Sequence, residues 1–152
     1  MTLIMKSCFV SLTILLLWQV ADVAEACKCL PVNLQEAFCN SDVVFSASVT
    51  GNWTFENGKD TFGNSSKYIE YDVQVIKVYK GLNFTVHEIY TSSSSASCGV
   101  TLDTADTLYL ITGKLQDGKV HISLCDFIEL DYDLSISQRL KLFQCETFGC
   151  GC

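Results

Sequence analysis

The chain has 152 residues, 49% of them hydrophobic, with 10 Lys+Arg against 17 Asp+Glu for a net charge of −7. That length suits one domain with a core of its own. An acidic chain without a basic stripe excludes nucleic acid as a partner, because phosphate neutralisation dominates that affinity.

Residues 1–26 read as a signal peptide. Lys6 supplies the positive start, Phe9 to Val20 is almost continuously apolar, and Ala24-Glu25-Ala26 gives the small-x-small pattern before a cut. The apolar run is short of the ~20 residues a membrane span needs and no second one follows, so no membrane partner is expected. Cleavage there removes Cys8 together with Lys6, Asp22 and Glu25, leaving residues 27–152 at a net charge of −6. The product is expected to be secreted and extracellular.

It would begin Cys27-Lys28-Cys29-Leu30-Pro31. A neutral terminal amine and the carbonyl of the same residue form a five-membered chelate for a transition metal, and a metal selects the neutral form. Pro31 is the one proline of the chain, and its fixed φ favours an extended course at that end.

From there the texture is mainly β: short alternating runs rich in β-branched and aromatic residues, bounded by Gly, Asn, Asp and Ser. Strands are predicted over Asp42–Thr50, Lys67–Tyr79, Val86–Tyr90, Thr107–Thr112 and Val120–Leu124, the last two joined through the hairpin signal Asp117-Gly118. Five strands suffice to close a small barrel, which removes exposed edges. Helices are predicted over Leu34–Cys39 and Ser135–Phe143, where Ile136, Leu140 and Phe143 share a face. Asn52–Ser66 reads as a long mobile hairpin tip, and Thr91–Ser97 as a Ser-rich loop.

Eight cysteines follow the leader: Cys27, Cys29, Cys39, Cys98, Cys125, Cys145, Cys150 and Cys152. In an exported chain an even count reads as four disulfides, with 105 pairings open on spacing alone. A structural zinc site competes, but no paired CxxC signature is present and secretion favours oxidation. Two Cys-x-Cys pairs stand at the two ends, and a bridge from i to i+2 is badly strained, so each cysteine must reach elsewhere.

Other chemistry has weak support. His87 and His121 fall in predicted strands without a partnered acid and nucleophile, an even cysteine count leaves no free thiolate, and the carboxylates are scattered. No enzyme activity is expected. An oligosaccharide- or nucleotide-binding barrel is disfavoured by acidity and by the lack of clustered aromatics on any strand. Asn52, Asn64 and Asn83 open Asn-x-Ser/Thr sequons, all in predicted loops or strand ends. Trp53 beside the first is either an exposed contact or a shielded loop residue.

Several blocks carry a family resemblance: Cys27-x-Cys29-x-Pro31, Gln35-x-Ala37-Phe38-Cys39-Asn40-Ser41-Asp42, Lys77-Val78-Tyr79-Lys80-Gly81, Gly113 to Gly118, and Ser137-Gln138-Arg139. In this order and spacing, running from Cys27 to Cys152, the chain resembles the inhibitory domain of the tissue inhibitors of metalloproteinases. The resemblance implies an oligonucleotide-binding-type, netrin-like barrel over residues 27–152. It implies a secreted, monomeric inhibitor of zinc metalloproteinases of the matrix type, with no cofactor of its own. Cys27 would bind the target's catalytic zinc through its backbone nitrogen and oxygen. Lys28, Cys29, Leu30 and Pro31 would enter the cleft, and Ser94, Ser95, Ala96, Ser97 and Cys98 would form the second part of the wedge. Family pairing implies Cys27–Cys98, Cys29–Cys125 and Cys39–Cys150, leaving Cys145–Cys152, with Cys39–Cys145 as the rival at that end. Lys28 departs from the family, which usually places Ser or Thr there. A non-inhibitory netrin-like module binding a cell-surface or matrix protein is the alternative. The chain stops where the family's inhibitory domain stops, so it reads as a single-domain version.

Overall fold

A computed structural model describes residues 27–59 and 65–152. Its elements in chain order are α1 (Leu34–Asn40), β1 (Val43–Lys59), β2 (Ser65–Lys80), β3 (Glu88–Ser92), β4 (Thr107–Gln116), β5 (Lys119–His121), β6 (Ile128–Leu130) and α2 (Ile136–Phe148). Hydrogen-bonded neighbours run β1-β2-β3-β5-β4, and β4 also pairs with β1, so five strands make a ring. Every pairing in it is antiparallel except β3 with β5, where Ile89 faces Val120 and Tyr90 faces His121. The mainly β, five-strand architecture is the one the alternation predicts.

β1 explains much of the packing. Val43, Phe45, Ala47 and Val49 are fully buried within the ring with Tyr71, Ile89, Ile111 and Val120, whereas Val44 points the other way into a second cluster with Leu34, Phe38, Leu110 and Leu142. A strand buried on both faces reads as a continuous apolar run, here Val43-Val44-Phe45. Each such side chain removed from water contributes about 1.5–3 kcal/mol.

α1 starts on Asn33, whose side chain accepts the Glu36 amide at 2.9 Å. It ends on a cation from another element: the Lys80 ammonium donates to the carbonyls of Phe38, Cys39 and Ser41 at 2.7, 3.1 and 2.7 Å. Gly81 follows at φ 79°, where a Cβ would lie 1.9 Å from the Asp42 oxygen, so only glycine fits.

Four disulfides join Cys27 to Cys98, Cys29 to Cys125, Cys39 to Cys150 and Cys145 to Cys152, closing separations of 71, 96, 111 and 7 residues.

Several boundaries differ from expectation. The segment read as a hairpin tip is strand over 52–59 and 65–66, paired in register Asn52 with Tyr71, Thr54 with Ile69 and Phe55 with Tyr68. Aromatic packing holds it: Phe55 stacks on Tyr68 at 5.8 Å and meets Tyr90 edge-on at 6.1 Å. β3 starts at Glu88 and ends at Ser92, so His87 precedes the strand and part of the Ser-rich loop belongs to it. β5 ends at His121, and the three-residue β6 was not expected.

α2 departs most. Ser135 caps it in a capping box with Gln138, and it runs to Phe148. Its buried residues are Leu142 and Cys145, while Ile136, Leu140 and Phe143 are 79%, 60% and 64% exposed. Two apolar stripes share this helix, and the partner that selects one is tertiary: Leu142 packs with Leu34 and Val44, and Lys77 bridges to Glu146 at 2.9 Å.

Candidate functional site

The candidate site is assembled at one pole of the ring by two disulfides. Cys27 and Cys29 bracket Lys28, and their partners Cys98 and Cys125 come from two separate loops. All four sulfurs lie within 4.8 Å of one another. Across the two bonds, Cys27 is 3.6 Å from Cys29 and 3.9 Å from Cys125, and Cys98 is 3.7 Å from Cys125.

The segment they pin, residues 27–33, has no regular secondary structure and is largely open to solvent. Lys28, Leu30 and Pro31 are exposed, Leu30 at 85%, whereas Cys27 and Cys29 are half-buried. A terminal segment with no sheet neighbour would fray, and each staple across a long loop contributes about 2–4 kcal/mol against that. The result is an apolar side chain held out in water on a fixed backbone.

The Cys98 loop is folded rather than slack. Ser92 and Ser94 turn it, with the Ser94 amide donating to Ser92 Oγ at 3.2 Å, and Ser95–Ser97 form one 3-10 turn. Cys98 sits at φ 59° in the left-handed region, and the Gly99 amide donates back to the Ser94 carbonyl at 2.9 Å. A Cβ on Gly99 would lie 2.0 Å from the Ser92 oxygen, so this turn requires glycine. Ser94, Ser95, Ala96 and Ser97 are exposed beside the pinned segment's disulfide.

The Cys125 loop escaped the sequence reading. Asp126 accepts from the Ser123 amide at 2.7 Å and the Ser123 hydroxyl at 2.9 Å, and that hydroxyl accepts the Cys125 amide at 3.2 Å. Burial pushes the Asp126 carboxyl above its usual range, against the pull of these donors. Leu124, 49% exposed, projects next to Cys125, and its amide donates to the Cys98 carbonyl at 2.8 Å. The Ser-x-x-Asp spacing was the available signal for this turn.

An open cleft of about 600 Å³ lies alongside, lined by Tyr68, Ser94, Lys114, His121 and Asp126 among others. His121 packs on the Tyr90 ring at 5.7 Å, and burial, then the nearby Lys119, lower its pKa. Neither His121 nor His87, whose carbonyl accepts the Val73 amide, has a nucleophile bonded to it among the described residues.

Of the sequons, Asn52 lies inside β1 rather than in a loop, Asn83 is exposed between β2 and β3, and Asn64 falls outside the described residues. Trp53 is 68% exposed, with its indole N–H on Asp72 at 3.2 Å. No helix among the described residues is long and apolar enough to cross a membrane.

Two disulfides thus hold a short, solvent-exposed segment against two loops of a five-strand ring. The comparisons with known proteins are specific. The family profile described as tissue inhibitor of metalloproteinase matches residues 25–152, and the chain belongs to that family. Metalloproteinase inhibitor 2 of Rattus norvegicus is 44% identical over 149 residues, covering 97% of this chain and 68% of the relative. The Homo sapiens protein of that name is 44% identical over 144 residues (93% and 66%), and that of Gallus gallus 42% over 143 (93% and 64%). The chain spans about two thirds of the length of these relatives. The family is one of inhibitors, not of enzymes.

Proposed function

We propose that the protein is a secreted inhibitor of zinc metalloproteinases of the matrix type, acting through Cys27 as its first residue. The observation that carries this reading is the pair of disulfides from Cys27 and Cys29 to loops 71 and 96 residues away, which fixes the backbone around Lys28. Preorganisation spares the entropy of ordering that segment on binding.

In this mechanism the leader is removed after Ala26. The α-amine of Cys27, with an ordinary pKa of about 7.7–8.0, is partly neutral at physiological pH. Its nitrogen and the Cys27 carbonyl oxygen occupy the position on the target's zinc where the catalytic water sits. Leu30 and Pro31 lie along the cleft, and Ser94 to Cys98 form the second edge of the wedge, tied to the first by the Cys27–Cys98 bond. Lys28 enters the specificity pocket, where its stem packs and its head must reach water or an acid. The protein works as a monomer with no cofactor of its own. Any glycans on Asn52 and Asn83 lie outside the wedge.

Lys28 also favours a second reading, a netrin-like module that binds a surface or matrix protein without inhibiting, since an unpaired ammonium in a dry pocket costs several kcal/mol. Titration separates the two. The secreted protein, with its first residue established by N-terminal sequencing, is titrated against a panel of zinc metalloproteinases with a serine protease as control. Stoichiometric inhibition confined to the zinc enzymes supports the inhibitor, and no inhibition of any of them rejects it.

A further inference from the structure

We propose that the four-sulfur cluster is a thiol-exchange site, at which one small-molecule thiol releases both bonds that hold the Cys27–Leu30 segment. Disulfides exchange by attack of a thiolate on one sulfur with expulsion of the other. Two disulfides far apart would react independently. Here the bonds Cys27–Cys98 and Cys29–Cys125 lie with sulfurs 3.6 to 3.9 Å apart across the gap, and none of the four cysteines is buried.

The relay balances without an oxidant or reductant. A thiolate RS⁻ attacks Cys27 Sγ, forming Cys27–SR and expelling Cys98 as thiolate. Cys98 Sγ stands 3.7 Å from Cys125 Sγ, attacks it, forms a Cys98–Cys125 bond and expels Cys29 as thiolate, which takes up the proton the thiol gave up. Attack at Cys29 leads to the same bond in mirror order: Cys125 is expelled, attacks Cys98 and frees Cys27. The protein gains one RSH in total, and the number of disulfide bonds, counting the mixed one, stays at two, as one free thiol is consumed and one, on Cys29 or Cys27, is formed.

Geometry favours this product over a bond between Cys27 and Cys29. Cys98 and Cys125 both belong to the body of the fold, and their backbones already lie side by side through the 2.8 Å bond from the Leu124 amide to the Cys98 carbonyl. A bond between Cys27 and Cys29, at 3.6 Å, would close a strained i to i+2 ring. The new bond also spans only 27 residues in place of 71 and 96. With neither Cys27 nor Cys29 tethered to the body, Cys27 to Leu30 lose both anchors at once. The consequence for activity rests on the inhibitor mechanism proposed above; the exchange itself does not.

The test is disulfide mapping of the native protein exposed to reduced glutathione, quenched with acid, alkylated and digested at intervals. The expected result is a Cys98–Cys125 linked peptide, one glutathione on Cys27 or Cys29 with the other alkylated, and loss of the two native pairs at one common rate, while Cys39–Cys150 and Cys145–Cys152 persist. Loss at two separate rates, each pair giving its own mixed disulfide and no Cys98–Cys125 peptide, overturns the proposal. Inhibition measured on the same samples separates the two ideas: a protein carrying Cys98–Cys125 that still inhibits fully leaves the exchange site standing and removes the support for the zinc-binding terminus.

Discussion

The phenol oxygen of Tyr71, 1% exposed in the middle of β2, accepts the Leu102 amide at 3.1 Å and donates to the Val100 carbonyl at 3.3 Å. These bonds fasten the segment just after Cys98 to the ring interior, so the core and the site loop share one side chain. Tyr71→Phe keeps the ring and leaves two buried backbone groups unpartnered, at about 1–3 kcal/mol each at most. Urea unfolding should show a loss in the range of about 1–3 kcal/mol with the slope unchanged; a loss near zero would show that the segment is held by other means.

Ser46 presents the opposite case. It is 4% exposed on β1, and its hydroxyl has no hydrogen-bond partner among the described residues. Ser46→Ala removes a desolvated hydroxyl that returns nothing and should raise stability by up to about 1 kcal/mol. Thermal unfolding reads this directly, and a clear fall in Tm would mean that the hydroxyl is satisfied by water.

These two residues also mark how far the sequence reaches. Alternation in Asp42–Thr50 revealed Val43, Phe45, Ala47 and Val49 as one face, because period two is a local property. The continuation of β1 to Lys59 was hidden by its Asn and Gly content, and only the pairing of Phe55 with Tyr68 and Tyr90 makes it strand. The helix α2 was legible but its buried face was not: Ile136, Leu140 and Phe143 form as good a stripe as Leu142 and Cys145, and the choice depends on Leu34 and Val44. At the candidate site, Cys27 to Pro31 were visible as chemistry, whereas the Ser94–Cys98 loop stood out only through the family resemblance. Leu124 and the Ser123–Asp126 turn were not, because Cys125 was read only as a bonding partner and not as part of a shaped loop.

Stability should respond to pH through two groups with opposite signs. His121 has a lowered pKa, so its folded form resists the proton that the unfolded chain accepts, and stability falls as pH drops from about 6.5 through the folded value. Asp126 has a raised pKa, so the unfolded carboxyl ionises first, and its contribution falls as pH rises from about 3.8 through the folded value. Unfolding free energies for His121→Gln should lose the slope just below pH 6.5 while keeping the more acidic one. A wild-type slope in that variant would assign the transition to another group.

Lys28 is exposed, and in the proposed mechanism its ammonium enters a pocket that is commonly apolar. Lys28→Thr should therefore tighten inhibition of common matrix metalloproteinases by about tenfold or more, equivalent to about 1.4 kcal/mol. Unchanged or weaker inhibition constants would count against placing this side chain in the pocket.

Inhibition should also weaken on acidification. Only the neutral amine binds zinc, so below about pH 7.7 the inhibition constant should rise about tenfold per pH unit, once the target's own pH dependence is removed. A flat profile between pH 5.5 and 7.5 would assign the contact to some other group.

The most direct measurement places one alanine ahead of Cys27 and leaves every side chain and disulfide in place. The amine then moves one residue away from the carbonyl with which it would chelate. Inhibition of zinc metalloproteinases is predicted to fall by several orders of magnitude while the unfolding curve is unchanged. An alanine-extended protein, verified by N-terminal sequencing, that inhibits as tightly as the parent would contradict the account.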